Sequence, residues 1–195
     1  MSLHPNETLL DRMVRAVELV RERLLRATAP LEAAGVPYAV AGGNAVAAWV
    51  ASIDPGATRN TPDVDLLIRR ADFDTAAKAL EAVGFVHRRA DGIDVFIDGT
   101  NGRERDAVHI VPAVETLLPH YSEQSPDVSE SVTLDQFRVL SLQALAKMKL
   151  TSFRIKDRMH LRDMLDVGLI DESWTAKLPA ELAAKLQELI ETPEG

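Results

Sequence analysis

Arg59-Asn60-Thr61-Pro62-Asp63-Val64-Asp65-Leu66-Leu67-Ile68-Arg69 sets two carboxylates one residue apart at the head of an apolar run. Pro62 closes a loop over Asp54–Pro62 that also holds Pro55 and Gly56, residues that favour turns. Asp63–Arg69 then reads as a strand. Side chains alternate along a strand, so Asp63 and Asp65 share one face and Val64, Leu66 and Ile68 the other, core-facing one. Their Cα atoms would stand roughly 6.5–7 Å apart. Carboxylates in that setting suit a pair of divalent ions about 3.5–4 Å apart, the two-metal geometry of phosphoryl transfer. Two such charges side by side repel and need a cation, solvent or a shared proton. A plain solvated strand end meets that need equally well.

Upstream, Tyr38-Ala39-Val40-Ala41 reads as a buried strand, broken by Gly42-Gly43, and Asn44–Ser52 as an Ala-rich helix. Glycines at such a turn allow close backbone approach, and the following helix start offers N–H groups to a phosphate. Before it, Asn6 or Thr8 caps a helix running to about Thr28. Met13, Val17, Val20 and Leu24 fall on one face of it. Pro30 is expected to interrupt that helix, leaving Leu31–Ala34 as a short turn.

Downstream, Ala71–Val83 reads as a helix stopped by Gly84. Phe85–Arg89, Ile93–Ile97 and Ala107–Val111 read as strands, the last two a hairpin across Asp98–Asp106, which holds Gly99, Asn101 and Gly102. Pro112–Leu118 is expected as a helical turn and Ser129–Thr133 as an edge strand. From Leu140 the pattern turns helical, over Ser141–Phe153, Lys156–Val167 and Ala180–Glu191, with Gly168 as a stop signal and Pro179 as a start. The expected fold class is α+β: a small mixed β-sheet core flanked by helices, then a C-terminal helical lobe. The expected division is residues 1–139 for the core with its N-terminal helix and 140–195 for the lobe.

The 195 residues are 46% hydrophobic, enough for a packed core, which excludes wholesale disorder. No run of about eighteen apolar residues occurs, so no membrane span is expected. Met1–Glu7 lacks the basic and apolar regions of a signal peptide, and a cytoplasmic location is expected. The net charge of −8 argues against a general nucleic-acid coat, though not against a local basic groove, and fits carboxylates around divalent cations. The absence of cysteine excludes disulfides, thiolate zinc sites and cysteine nucleophiles.

Taken together, Ala41-Gly42-Gly43-Asn44-Ala45 followed by Arg59–Leu67 resembles the nucleotidyltransferase superfamily that includes DNA polymerase beta, the aminoglycoside nucleotidyltransferases and the minimal nucleotidyltransferases. The Arg-x-Thr-x-Asp-x-Asp run looks most like the AbiEii-type nucleotidyltransferase toxins. Lys147–Leu150, Arg154–Arg158 and His160–Leu165 resemble the helical segment that follows the core in that group. The resemblance covers roughly Gly35–Leu169.

That resemblance implies metal-dependent transfer of a nucleoside monophosphate from an NTP to a hydroxyl, releasing pyrophosphate. The acceptor is an RNA end, a protein or a small molecule, and a toxin role with an antitoxin partner is one form of it. It implies Asp63 and Asp65 as catalytic metal ligands for Mg²⁺, with two ions. It implies Gly42, Gly43, Asn44, Arg59, Thr61 and Lys149 at the nucleotide, with Arg154 and Lys156 as further cations. The superfamily usually supplies a third carboxylate from a later strand. Here Ala107-Val108-His109-Ile110-Val111 puts His109 in that place, as ligand, general base or bystander. Asp106 is the alternative, although alternation puts it on the other face; Asp94 and Asp98 are further candidates. A second reading is a catalytically degenerate protein of this fold with a nucleotide-binding or regulatory role. A metal-dependent phosphohydrolase ranks third, for want of a histidine cluster.

Overall fold

The computed structural model describes residues 8–90, 92–100, 102–103 and 106–192. The alternative cap Asn6 and the loop residue Asn101 lie outside them. Helices are α1 (Leu9–Ala33), α2 (Gly42–Ala51), α3 (Phe73–Ala82), α4 (Leu142–Ser152), α5 (Ile155–Asp166) and α6 (Ala180–Glu191). Strands are β1 (Tyr38–Ala41), β2 (Val64–Ile68), β3 (Phe85–Ala90), β4 (Ile93–Asp98), β5 (Val108–Pro112), β6 (Ser131–Leu134) and β7 (Phe137–Leu140).

The strands form one mixed sheet in the order β3-β4-β5-β2-β1-β7-β6. The β2–β5 and β1–β7 pairs are parallel and the rest antiparallel. This is the expected α+β class, with β7 as a strand the sequence reading did not anticipate. The edge strand falls at Ser131–Leu134, slightly later than expected. At the centre, β1 is buried at all four residues, as a strand covered on both faces must be. In β2, Leu67 is as buried as its neighbours, and only Asp65 departs from full burial. The change from strand to helix falls at Leu140–Leu142, where the Ser141 side chain caps α4.

Two local expectations are corrected. Pro30 does not interrupt α1, which runs through it to Ala33. Proline in a helix interior removes one hydrogen bond and crowds the preceding turn. Ala27 and Leu31 on either side of Pro30 are fully buried, and their packing holds the last turn in place. The start is fixed by Thr8, whose hydroxyl accepts from the Asp11 N–H while the Asp11 carboxylate accepts from the Thr8 N–H. The apolar face of α1 is covered only from Leu24 onward; Met13 and Val17 are exposed. The second correction is Pro112–Leu118, which contains no helix. Val114 takes a φ of 59°, and its N–H donates to the Pro126 carbonyl while the Ser125 N–H donates to that of Glu115. The segment turns back on itself instead of winding.

Candidate metal and nucleotide site

Register builds the site. Asp65 on β2 stands beside Ala41 of β1 on one side and His109 of β5 on the other. Residues aligned across neighbouring strands share a face. Asp65 and His109 therefore emerge together, while Val64 and Val108 go to the buried side. His109 Nδ1 lies 3.5 Å from Asp65 Oδ1. Asp63 sits just before β2, and one ligand atom each from Asp63, Asp65 and His109 lies within 4.8 Å of the others. All three are half-buried. A carboxylate, a carboxylate and an imidazole converging in this way fit a divalent ion.

The Gly-Gly turn is shaped to these side chains. Gly42 takes a φ of 60°, and a Cβ there would stand 1.7 Å from Asp65 Oδ2. A Cβ on Gly43 would stand 2.6 Å from Thr61 Cγ2. Both glycines thus leave room for the β2 side of the site, and no side chain caps the α2 N-terminus. Thr61 donates a short hydrogen bond to the Asp63 carboxylate. Asn44 Nδ2 donates to the Asp63 carbonyl at 2.6 Å, tying the start of α2 to the start of β2.

A cation comes from α5. Phe153 ends α4 in the left-handed region, with a φ of 45°, and the chain turns directly into α5. This turn aims Lys156 at the carboxylates: its Nζ is 3.2 Å from Asp63 Oδ2 and 3.4 Å from Thr61 Oγ1. Burial works to raise the Asp63 carboxyl, but the Thr61 hydroxyl and Lys156 ammonium outweigh it and hold it below the usual range. The Asp65 carboxylate raises the His109 imidazole above its ordinary value, against the pull of burial.

The remaining expected cations are engaged in ion pairs. Lys149 is buried and its Nζ donates to Asp157 Oδ1 at 2.9 Å. Arg154 meets the same Asp157 carboxylate at 2.8 Å. Arg59 Nε donates to Asp163 Oδ1 at 2.7 Å, bridging the pre-β2 loop to α5. Of the further carboxylates, Asp94 is paired with His87, Asp98 with Arg23 and Arg26, and Asp106 with Arg103. Asp94 also aligns with Ile110, on the face away from His109. Sequence reading gave no site role to His160, one helical turn after Lys156 on α5. It is buried, and its Nδ1 has no hydrogen-bond partner among the described residues. Burial, aided by Lys149 and Lys156, pushes its imidazole down to about 4. Only the i, i+4 spacing from Lys156 hinted that it faces inward.

No family model matches the chain, and no curated protein matches it by sequence. Solved structures do. The antibiotic-resistance factor ANT(2'')-Ia, in solution, is 14% identical with a TM-score of 0.53, over 91% of this chain and 92% of that one. The same factor, crystallised with adenylyl-2''-tobramycin, gives 15% identity, a TM-score of 0.51, and coverage of 89% and 98%. An antigenic nucleotidyltransferase-like protein from Paracoccidioides brasiliensis is 17% identical with a TM-score of 0.53, over 90% and 88% of the two chains. These likenesses cover nearly the whole chain.

Proposed function

With the nucleotidyltransferase fold as the starting point, we propose that the protein transfers a nucleoside monophosphate from an NTP to a hydroxyl group. The observation that carries this reading is the convergence of Asp63, Asp65 and His109 beside the Gly42 turn. In the reaction, the acceptor oxygen forms a bond to the α-phosphorus, the bond to the β-phosphate oxygen breaks, and pyrophosphate leaves. A divalent cation held by Asp63 and Asp65 would supply charge to the phosphate oxygens.

The chain's own residues then divide the work. Asp63 and Asp65 hold the cation. Gly42 and Gly43 bring the α2 N-terminus close to the phosphates, where its N–H groups favour negative charge. Lys156 is the nearest cation for the triphosphate, and it releases Asp63 when that carboxylate takes a metal. Thr61 and Asn44 hold Asp63 in place. His109 completes the site in the position where a carboxylate serves elsewhere, and the proton of the attacking hydroxyl leaves to water. Lys149 joins α4 to α5 through Asp157, and Arg59 ties the loop to α5.

ANT(2'')-Ia was crystallised with adenylyl-2''-tobramycin, which favours a small hydroxyl-bearing acceptor among the three classes. RNA ends and proteins remain the alternatives, and a toxin held by an antitoxin is the form suggested by the Arg59–Asp65 run. One observation favours a second reading, binding without transfer: the third carboxylate is replaced by His109. The test incubates the protein with each α-labelled NTP, divalent metal and a panel of aminoglycosides, RNAs and proteins. Label carried onto an acceptor by the parent and not by Asp65→Asn supports transfer. Tight nucleotide binding with no labelled product under any metal supports the second reading.

A further inference from the structure

The donor set at the sheet mouth has a composition of its own. Two carboxylates and one imidazole present ligand atoms within 4.8 Å of one another. Donors on opposite sides of one ion at about 2.1 Å stand about 4.2 Å apart, so small side-chain rotations bring all three onto a single centre. None of the three is a loose surface group. Asp65 and His109 are locked in register on neighbouring parallel strands. Asp65 is packed against Gly42, in the space a Cβ would take. Asp63 is fixed by Thr61 and, through its backbone, by Asn44.

Mg²⁺ takes oxygen ligands in near-ideal octahedra and gives up water reluctantly, whereas imidazole suits first-row transition ions. Mn²⁺ accepts carboxylate oxygen and is the first member of the series in which nitrogen affinity rises. The alternative oxygen donors that would restore an all-carboxylate site, Asp94, Asp98 and Asp106, are engaged with His87, Arg23, Arg26 and Arg103. We infer that Asp63, Asp65 and His109 form a mixed oxygen–nitrogen site that selects Mn²⁺ over Mg²⁺, with His109 as the selecting ligand. The inference rests on the proposed function only in taking Asp63 and Asp65 as metal ligands. Its test needs neither nucleotide nor acceptor.

The full chain at neutral pH is titrated with MnCl₂ alone, following loss of the free-ion electron paramagnetic resonance signal. MgCl₂ is then used as competitor. The parent is expected to take up Mn²⁺ and to release it only to a large excess of Mg²⁺. His109→Asp is expected to lower the Mn²⁺-to-Mg²⁺ preference about tenfold or more, a change of ~1.4 kcal/mol. His109→Ala is expected to weaken Mn²⁺ at least tenfold. An unchanged preference in His109→Asp, tighter Mg²⁺ than Mn²⁺ in the parent, or no Mn²⁺ uptake by the parent overturns the inference. A second measurement needs no variant: at substoichiometric Mn²⁺ the ring resonances of His109 broaden before those of His87 and His120. Equal broadening of all three overturns it. Mn²⁺ selectivity without transfer would sink the proposed function and leave this inference standing; Mg²⁺-preferring transfer would do the reverse.

Discussion

Two carboxylate centres lie within reach of α5 and are finished in opposite ways. Asp157 is fully buried and accepts from Lys149 Nζ at 2.9 Å, Arg154 Nε at 2.8 Å and Ser152 Oγ at 2.8 Å. Burial works to raise its carboxyl, but Lys149 and Arg154 prevail and hold it at about 2. Asp63 and Asp65 are two half-buried carboxylates that share one ammonium, Lys156, and one imidazole, His109. The first centre has every charge answered and serves to join α4 to α5. The second is left short of positive charge and open to solvent. A carboxylate saturated by its own protein is a structural element, and one left under-compensated is ready for a cation from outside.

The sharpest break in this comparison is an isosteric change at each centre. Asp65→Asn keeps side-chain size and removes a metal-binding charge. Transfer is expected to fall by about 10³-fold, or ~4 kcal/mol at the transition state. Its thermal midpoint should stay close to the parent's. Near-parental turnover in a single-turnover assay would place the chemistry elsewhere. Asp157→Ala should do the opposite. It strands Lys149 in the interior and should cost about 3–5 kcal/mol of stability in urea unfolding. Partial recovery is expected when Lys149→Met is added, because an apolar side chain needs no counter-charge. A mild cost for Asp157→Ala would make the two centres alike.

A third measurement uses His160, which lies between them. Its folded value of about 4 is below the unfolded value of 6.5, so the unfolded chain binds a proton first as pH falls. The contribution of His160 is therefore constant above about pH 6.5 and declines from there to about 4, by up to ~1.4 kcal/mol per pH unit. Asp157 adds a further loss only below its unfolded value, toward about 2. In His160→Gln the decline between 6.5 and 4 should flatten; an unaltered slope would mean another group titrates there. The smallest effect is expected from Lys156→Ala: about tenfold weaker apparent NTP affinity, near 1.4 kcal/mol, with little change in unfolding. A large loss of stability instead would make Lys156 a structural cation like Lys149.

The open centre was legible in the sequence to a large extent. Asp-x-Asp before an apolar run, a Gly-Gly turn and an alternating strand around His109 are local patterns, and strand periodicity alone sets which side chains share a face. The closed centre was not. Lys149, Arg154, Lys156 and Asp157 lie within one short charged stretch, and nothing in their order says which cation turns inward. That choice is made by the turn at Phe153 and by the packing of α5 on α2 and α4. Lys149 was read as a nucleotide contact and sits in an ion pair; Lys156 was one cation among several and reaches the carboxylates. Pro30 teaches the same lesson for local rules, since the buried contacts of Ala27 and Leu31 override its breaking tendency.

The strand order has a consequence for how the chain is made. β1 pairs with β2 soon after both emerge, and this local antiparallel pairing brings Asp65 to Gly42 early. The other edge of β1 has no partner until β7, where Val40 meets Val139, far later in the chain. Tyr38-Ala39-Val40-Ala41 is wholly apolar apart from one phenol, and an unpaired edge of that kind is a template for wrong association. Parallel pairings between distant segments are also slow to form. A ribosome-bound chain that has not yet reached Phe137 thus carries an unprotected sheet edge, and its safety during synthesis depends on chaperones or speed.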